Sequence, residues 1–292
     1  MIDVTKLSSK GQETYLKYCM KHDKPVNMAD VVLSEENQKK IDEFITERKN
    51  RMQIERIGLE PMNRILMYGA SGTGKTYLTS ALASTLRLPM LHIDASQLQS
   101  AVPAAAIADI FELAYELRKA IIFLDECDSI CWARDDADNQ DDGAIRRANN
   151  TLFQYLDQMN ADYIFVGATN LYDKLDGAFK RRFNIEMKFL VPKIDNFSQA
   201  VHKFMNTGFK FIEDMDPAVK AIVDCQARNY SRMSYYQIKD WVHRTEKQAI
   251  FKQQNYIRES DIYGLLMSAM RMEVKYDSEN KPYLHQYGVQ SK

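Results

Sequence analysis

One glycine-rich segment constrains the fold more than any other part of this 292-residue sequence. It is Gly69-Ala70-Ser71-Gly72-Thr73-Gly74-Lys75-Thr76, which fits the pattern G-x-x-x-x-G-K-[ST]. An apolar run precedes it and a helical pattern follows it, which is the context that a phosphate-binding loop requires. Glycines let backbone N–H groups surround a phosphate, and the helix N-terminus adds a positive end. We therefore predict a nucleotide site in which Lys75 reaches the β- and γ-phosphates and Thr76 offers its hydroxyl to Mg²⁺.

A second apolar run ends in two carboxylates. Ile121–Leu124 is followed directly by Asp125 and Glu126. A strand that simply ends in solvated acids would look the same, but in an open α/β sheet ligands bind at the carboxyl ends of the strands. Beside a phosphate loop, we expect Asp125 to hold the Mg²⁺ water shell and Glu126 to activate an attacking water.

The first two thirds of the chain alternate short apolar runs with amphipathic helical patterns. This alternation predicts a parallel sheet that is covered by helices on both faces. The expected strands are Ile65–Tyr68, Met90–Ile93, Ile121–Leu124 and Tyr163–Val166. The fold class is therefore α/β.

Beyond Pro192 the sequence predicts helices and no further strands. The helical patterns cover residues 196–207, 216–228, 234–251 and 260–272. We therefore expect four regions: an N-terminal arm, an α/β nucleotide-binding domain, a small all-helical lid domain and a polar C-terminal tail, over residues 1–28, 29–191, 192–275 and 276–292. The arm and the tail contain aromatic residues, among them Tyr15, Tyr18 and Tyr287, which could dock a partner or pack on the core.

Composition excludes several classes of protein. Hydrophobic residues make up 45% and charged residues 27%, and the net charge is −1, which argues against wholesale disorder and against a histone-type nucleic-acid binder. No apolar run is long enough to span a bilayer, and the polar start of the chain does not resemble a signal peptide. The four cysteines lack the spacing of a zinc site, so we expect reduced thiols in a cytoplasmic protein.

Four motifs in order give the sequence a resemblance to the AAA+ ATPase family, over about residues 31–272. Gly69–Thr76 resembles the family's Walker A motif and Ile121–Glu126 its Walker B motif. Gly167–Asn170 is similar to the sensor 1 segment, and Leu175–Phe183 is similar to the second region of homology. The resemblance implies a P-loop AAA+ module followed by a lid, with ATP and Mg as its cofactors.

The resemblance also implies roles for single residues. Asn170 would position the water and sense the γ-phosphate, and Arg181 or Arg182 would be an arginine finger that reaches the site of the next subunit. The backbone at Asp30, Val31 and Val32 would contact the adenine, although a hydrophobic entry strand would look the same. Arg232 lies near the position of a sensor 2 arginine, although its spacing departs from the family pattern and an ordinary surface arginine is the alternative.

A finger supplied by a neighbour implies a ring, and in this family the ring is most often a homo-hexamer. Two departures bear on what such a ring does. The first pore segment, residues 96–106, has no aromatic residue to grip an extended peptide. The second, residues 134–143, is rich in Asp, which disfavours a nucleic-acid backbone in the channel, although a solvated acidic loop is an equal alternative.

Remodelling of a protein partner is the function that these features favour. The core resembles the katanin, spastin and HORMA-remodeller branch and its compact bacterial relatives, with a protein substrate or adaptor and no membrane. The alternative is a nucleic-acid machine part, such as a helicase loader or a transposition regulator, which would use a basic stripe on the first helix of the core. That stripe consists of Lys39, Lys40, Arg48, Lys49 and Arg51. A third possibility, a scaffold that binds ATP without turnover, is disfavoured by the presence of Glu126.

Overall fold

The structure is a computed structural model that describes residues 2–20, 25–100, 102–132, 142–192, 194–230 and 233–286. The chain divides into two compact units, Met1–Phe189 and Leu190–Lys292. Arg232, Ala101, Tyr287 and most of the acidic segment 134–143 lie outside the described residues.

A six-stranded sheet forms the centre of the first unit. Its order is β1-β3-β4-β5-β2-β6, and neighbouring strands are parallel except for the antiparallel pair of β1 and β3. This confirms the predicted parallel sheet. The strands are β1 (Cys19–Met20), β2 (Arg64–Gly69), β3 (Met90–Asp94), β4 (Ala120–Asp125), β5 (Tyr163–Thr169) and β6 (Ile185–Phe189).

Helices cover both faces of this sheet. Alternate residues of β4 belong to different hydrophobic clusters: Ile122 packs with residues of α5 and α6, and Ile121 packs with residues of α2 and α4. Because successive side chains of a strand point to opposite faces, the two clusters are the two halves of the core. The helices are α1 (Ser9–Tyr18), α2 (Glu35–Lys49), α3 (Arg51–Arg56), α4 (Lys75–Leu86), α5 (Pro103–Glu116), α6 (Asp142–Gln158) and α7 (Gly177–Lys180).

The N-terminal residues pack on the core of the first unit. Helix α1 lies against α5, and Lys10 forms an ion pair with Asp109 at 2.9 Å. Tyr15 and Tyr18 are buried in the same cluster as α5, whereas Leu16 is 70% exposed. Of the two possibilities for these aromatic residues, packing on the core is therefore the one that the structure contains.

The second unit is built mainly from helices, as predicted, but the expectation that strands stop at Pro192 is wrong. Strand β7 pairs with β8 in parallel, and β9 pairs with β10 as an antiparallel hairpin. The hairpin includes part of the segment predicted to be a polar tail. The elements are α8 (Ile194–Phe204), β7 (Lys210–Ile212), α9 (Pro217–Ala227), α10 (Tyr235–Phe251), β8 (Tyr256–Arg258), α11 (Glu259–Met270), β9 (Met272–Tyr276) and β10 (Pro282–Gln286).

Two properties predicted from composition can be compared with the structure. Within the described ranges, no helix combines the length and the apolar character that a membrane crossing needs. All four cysteines are free thiols, and Cys127 and Cys131 are buried. Burial raises the pKa of both buried thiols, so they remain protonated and poorly reactive.

Candidate active site

The glycine-rich segment connects β2 to α4 as a loop whose backbone only glycine adopts easily. Gly69, Gly72 and Gly74 have φ values of 140°, 74° and 102°. Gly74 is the N-cap of α4 and provides no side-chain acceptor for the first N–H groups of that helix. An anion can serve as that acceptor, so the loop fits a phosphate group.

Gly69 also allows a close approach between β2 and the neighbouring strand β6. A Cβ atom at this position would lie 1.9 Å from the carbonyl oxygen of Phe189. We expect Gly69→Ala to lower the free energy of unfolding by more than about 2 kcal/mol, because overpacking adds to the strain of a positive φ. Urea unfolding measures this loss. Gly177→Ala is the matched control, since a Cβ atom there meets nothing within 4 Å. Equal stability of the two variants would contradict the expectation.

Lys75 connects the phosphate loop to the end of β5. Its Nζ atom donates hydrogen bonds to the carbonyl oxygens of Gly69 and Ala70 at 2.8 and 3.0 Å, and to Oδ1 of Asn170 at 2.8 Å. Burial lowers the pKa of Lys75. All three acceptors are neutral oxygens, so a phosphate group would add a charge-assisted hydrogen bond to this ammonium.

Asp125 and Thr76 face each other between β4 and α4. Thr76 Oγ1 donates a hydrogen bond to Asp125 Oδ2 at 3.1 Å, and His92 Nε2 lies 3.6 Å from the same oxygen. Burial alone would raise the pKa of Asp125, but the contacts with His92 and Thr76 outweigh it and lower the pKa. The pair thus offers an ionised carboxylate and a hydroxyl, which are oxygen ligands of the kind that Mg²⁺ prefers. The donor set fits that ion.

Glu126 lies just beyond β4 and is exposed. It has a left-handed backbone, with φ 52° and ψ 39°. Desolvation, together with the negative charges of Asp94, Asp125 and Asp128, raises its pKa. A carboxylate with a raised pKa is a stronger base, which suits proton transfer from water.

Three residues at this edge were missed by sequence reasoning: His92, Asp94 and Asp128. Asp128 accepts a hydrogen bond from Thr169 Oγ1 at 2.5 Å, and that oxygen also accepts the N–H of Leu171. These contacts hold the turn on which Asn170 lies. Asp94 is the last residue of β3 and lies opposite Asp125, the last residue of the neighbouring strand β4. The pairing of β3 with β4, which could have revealed this contact, is not visible in the sequence.

The two candidate finger arginines differ in their contacts. Arg182 forms two hydrogen bonds of 2.9 Å with Asp157, donates to the carbonyl of Ala178 at 2.8 Å and lies 4.2 Å from the ring centre of Phe153. Arg181 follows α7 and is exposed. Arg182 is therefore engaged within its own unit, and Arg181 is the arginine that is available to another molecule.

The adenine-contacting segment predicted at Val31 and Val32 lies beside the phosphate-loop helix. Both side chains are buried, with exposed fractions of 5% and 8%, and Val31 packs in the same cluster as Leu78 of α4. With both side chains buried, a base could be contacted only through the backbone, and the Val31 N–H already donates to the Met28 carbonyl oxygen at 3.1 Å. In the predicted first pore segment, Val102 is 70% exposed and directly precedes α5.

Comparison with known proteins identifies the family of this site. Residues 65–191 match the ATPase family associated with various cellular activities (AAA). The chain is 33% identical over 167 residues to the proteasome-activating nucleotidase of Archaeoglobus fulgidus, covering 55% of this chain and 42% of that protein. It is 32% identical over 187 residues to the rice ATP-dependent zinc metalloprotease FTSH 7, chloroplastic, covering 60% and 22%.

The match to a third relative covers larger shares of both chains. An uncharacterized AAA family ATPase of Sinorhizobium fredii is 30% identical over 196 residues, which cover 66% of this chain and 57% of that protein. The matched part of the chain spans less than two thirds of the length of each of these relatives. The matched region includes the phosphate loop, the acidic end of β4, Asn170 and the two arginines. Residues 65–191 of this chain therefore form an ATPase domain of the AAA family.

Proposed function

We propose that this protein hydrolyses ATP with Mg²⁺. The observation that carries the proposal is the convergence of Lys75, Thr76, Asp125, Glu126 and Asn170 at one edge of the sheet. Lys75 and the backbone amides of residues 69–76 hold the phosphates, and Thr76 and Asp125 hold the metal ion. When bound, Mg²⁺ neutralises charge on the β- and γ-phosphates.

Hydrolysis needs a base and a group that orients the water. Glu126 takes a proton from the attacking water, and its raised pKa supports this assignment. Asn170 orients that water and reports on the γ-phosphate. Its contact with Lys75 at 2.8 Å supports a position beside the same phosphate.

The site is completed in a homo-hexameric ring, in which Arg181 of one subunit reaches the γ-phosphate bound to the next. A guanidinium spreads its charge over several donors and so stabilises the transition state of phosphoryl transfer. The exposure of Arg181, against the ion pair that holds Arg182, supports Arg181 as the finger. Backbone groups at Val31 and Val32 contact the adenine, and Arg232 is the sensor 2 candidate.

The output of this cycle is remodelling or disassembly of a protein partner in the cytoplasm. Two relatives support it by name, one as a proteasome-activating nucleotidase and the other as an ATP-dependent protease. The α/β domain of residues 29–191 binds the nucleotide, and the lid of residues 192–275 converts its state into movement. The side chain of Val102 is much smaller than an aromatic ring and would grip a peptide weakly. This favours gentle remodelling over forceful threading of a folded substrate.

A nucleic-acid function has weaker support. Of the five basic residues that could form a stripe on α2 and α3, three make contacts within the first unit. Lys40 forms an ion pair with Glu36, Arg51 with Glu55 and Asp162, and Arg48 donates to the carbonyl of Ala161. The ion pairs offset the charges of Lys40 and Arg51, and the hydrogen bond occupies donors of Arg48, so less of the stripe is left for a phosphate backbone.

Steady-state ATP hydrolysis with and without DNA distinguishes the two functions. We expect hydrolysis that requires Mg²⁺ and changes less than about twofold with single-stranded or duplex DNA, because three of the five basic side chains are already engaged. Lys75→Ala is the background control, since it should lose nucleotide binding. Strong, salt-sensitive stimulation by DNA would reject protein remodelling in favour of the nucleic-acid function. Absence of any hydrolysis at every protein concentration would reject the ATPase itself.

A further inference from the structure

Four side chains next to the start of the phosphate loop are in contact with one another. We call them the Tyr172 cluster: Tyr68, Tyr172, Lys180 and Glu186. The rings of Tyr68 and Tyr172 stack with centroids 4.0 Å apart and planes at 28°. Lys180 Nζ lies 4.3 Å from the centre of the Tyr172 ring. The Tyr172 hydroxyl donates a hydrogen bond of 2.7 Å to Oε2 of Glu186. One side chain thus makes three contacts of different kinds.

Two of these contacts reach elements that carry part of the active site. Tyr68 directly precedes Gly69, the first residue of the phosphate loop. Tyr172 itself begins a short 3-10 helix two residues after Asn170. Lys180 is the last residue of α7 and directly precedes Arg181. Tyr172 therefore lies between the residues that bind nucleotide and the residue that serves the neighbouring subunit.

Helix α7 needs such support because it is short. It has four residues, and isolated helices of that length are not stable. Asp176 caps its first turn by accepting the N–H of Ala178 at 2.6 Å, and Phe179 anchors its middle in the core. At its end, the contact of Lys180 with Tyr172 restrains the residue beside Arg181. A cation over an aromatic face is attracted electrostatically to the ring.

The hydroxyl of Tyr172 remains a donor at physiological pH. Its hydrogen bond to Glu186 raises the pKa of Tyr172 to about 12. A hydrogen bond to a charged acceptor is stronger than one between neutral groups. Glu186 lies on β6, which pairs with β2, so the bond holds Tyr172 to the same part of the sheet that supports the phosphate loop.

We propose that Tyr172 is a positioning residue that links the nucleotide-binding loop of one subunit to the arginine finger that this subunit supplies to its neighbour. The proposal rests on the proposed function, because it requires Arg181 to act across a subunit interface. A shift of β2 or of the phosphate loop moves the Tyr68 ring, and the stacked Tyr172 ring transmits that shift to Lys180 and α7. Occupancy of one site thereby biases the geometry of the next.

Mixed rings test this link because they separate the subunit that supplies the finger from the one that hydrolyses ATP. The donor chain carries Glu126→Gln, so it supplies Arg181 while hydrolysis at its own site is nearly abolished. The recipient chain carries Arg181→Ala, so it keeps its site but supplies no finger. Mixing the two should restore hydrolysis at recipient sites that have a donor neighbour. Tyr172→Ala is then added to one chain or the other.

We expect Tyr172→Ala on the donor chain to lower the restored rate by about 10- to 100-fold, as for a catalytic group displaced by about 1 Å. On the recipient chain the same substitution should cost much less, because that chain supplies no finger. Tyr172→Phe on the donor should cost less than Tyr172→Ala, because it keeps the ring and loses only the bond to Glu186. Thermal unfolding and binding of a fluorescent ATP analogue by each variant verify that folding and the nucleotide site are retained.

Three results would overturn the proposal. An equal loss on both chains would make Tyr172 a general structural residue, and no loss on the donor would remove it from finger placement. If donor and recipient restore no activity even with Tyr172 intact, the shared active site itself fails and this proposal fails with it. That last result is separable from the others, because it appears before any change at Tyr172.

Discussion

An Arg181→Ala variant is expected to hydrolyse ATP about 10³-fold more slowly than the unmodified protein, at saturating ATP and Mg²⁺. The cause is the loss of a guanidinium that stabilises charge on the γ-phosphate in the transition state. ATP binding should change little, because Arg181 is exposed and has no role in holding the nucleotide within its own subunit. Steady-state hydrolysis and equilibrium binding of a fluorescent ATP analogue give the two quantities.

Arg182→Ala is the matched control, since it removes the same charge one residue further along. We expect it to lower the stability of the fold, because Arg182 binds Asp157 through two hydrogen bonds and covers the ring of Phe153. Its hydrolysis rate per folded molecule should fall far less than that of Arg181→Ala. The reverse order of the two rates would contradict the assignment and would make Arg182 the finger.

A Glu126→Gln variant is expected to bind ATP and to hydrolyse it about 10²- to 10⁴-fold more slowly, because an amide cannot accept the proton of the attacking water. The substitution keeps the size of the side chain and removes only its charge. Single-turnover hydrolysis measures the chemical step, and size-exclusion chromatography with ATP tests whether the stalled form accumulates as a ring.

Glu112→Gln controls for the loss of one negative charge. Glu112 lies on α5 and forms an ion pair with Lys10, a contact outside the active site. The hydrolysis rate of the Glu112→Gln variant should therefore equal that of the unmodified protein. If Glu126→Gln kept full activity, the base would have to be another group. The stalled variant is also suited to capturing the protein partner, whose identity mass spectrometry can establish.

The sequence predicted the parts of the site that are local in the chain. The phosphate loop and the acidic end of β4 are contiguous patterns, and each lies where the pattern requires. The four strands predicted from apolar runs are confirmed. They could be recognised in the sequence because central strands that are buried on both faces appear as continuous apolar runs. Strand β6 was missed because its residues alternate between buried positions and more exposed ones. Over only five residues, such an alternation is a weak signal of a strand.

Other features depend on contacts between residues far apart in the chain. The difference between Arg181 and Arg182 arises from Asp157, which lies on α6, 25 positions earlier. His92 lies beside Asp125 only because β3 pairs with β4. The short strands β7 and β8 have three residues each, too few for a periodic pattern to be recognised. Sequence patterns alone contain none of this information.

The pairing of β1 with β3 has a consequence for how copies of this chain can associate. An unpaired outer strand offers a row of N–H and C=O groups to which another chain can add its own strand, and this is a common route to aggregation. Cys19 and Met20 cover that row at Ile93 and His92. The outer strand is then β1, whose two residues offer too few backbone groups to template a further strand, so we expect association at this margin to use side chains. Subunits joined in that way can separate and reassemble without breaking backbone hydrogen bonds.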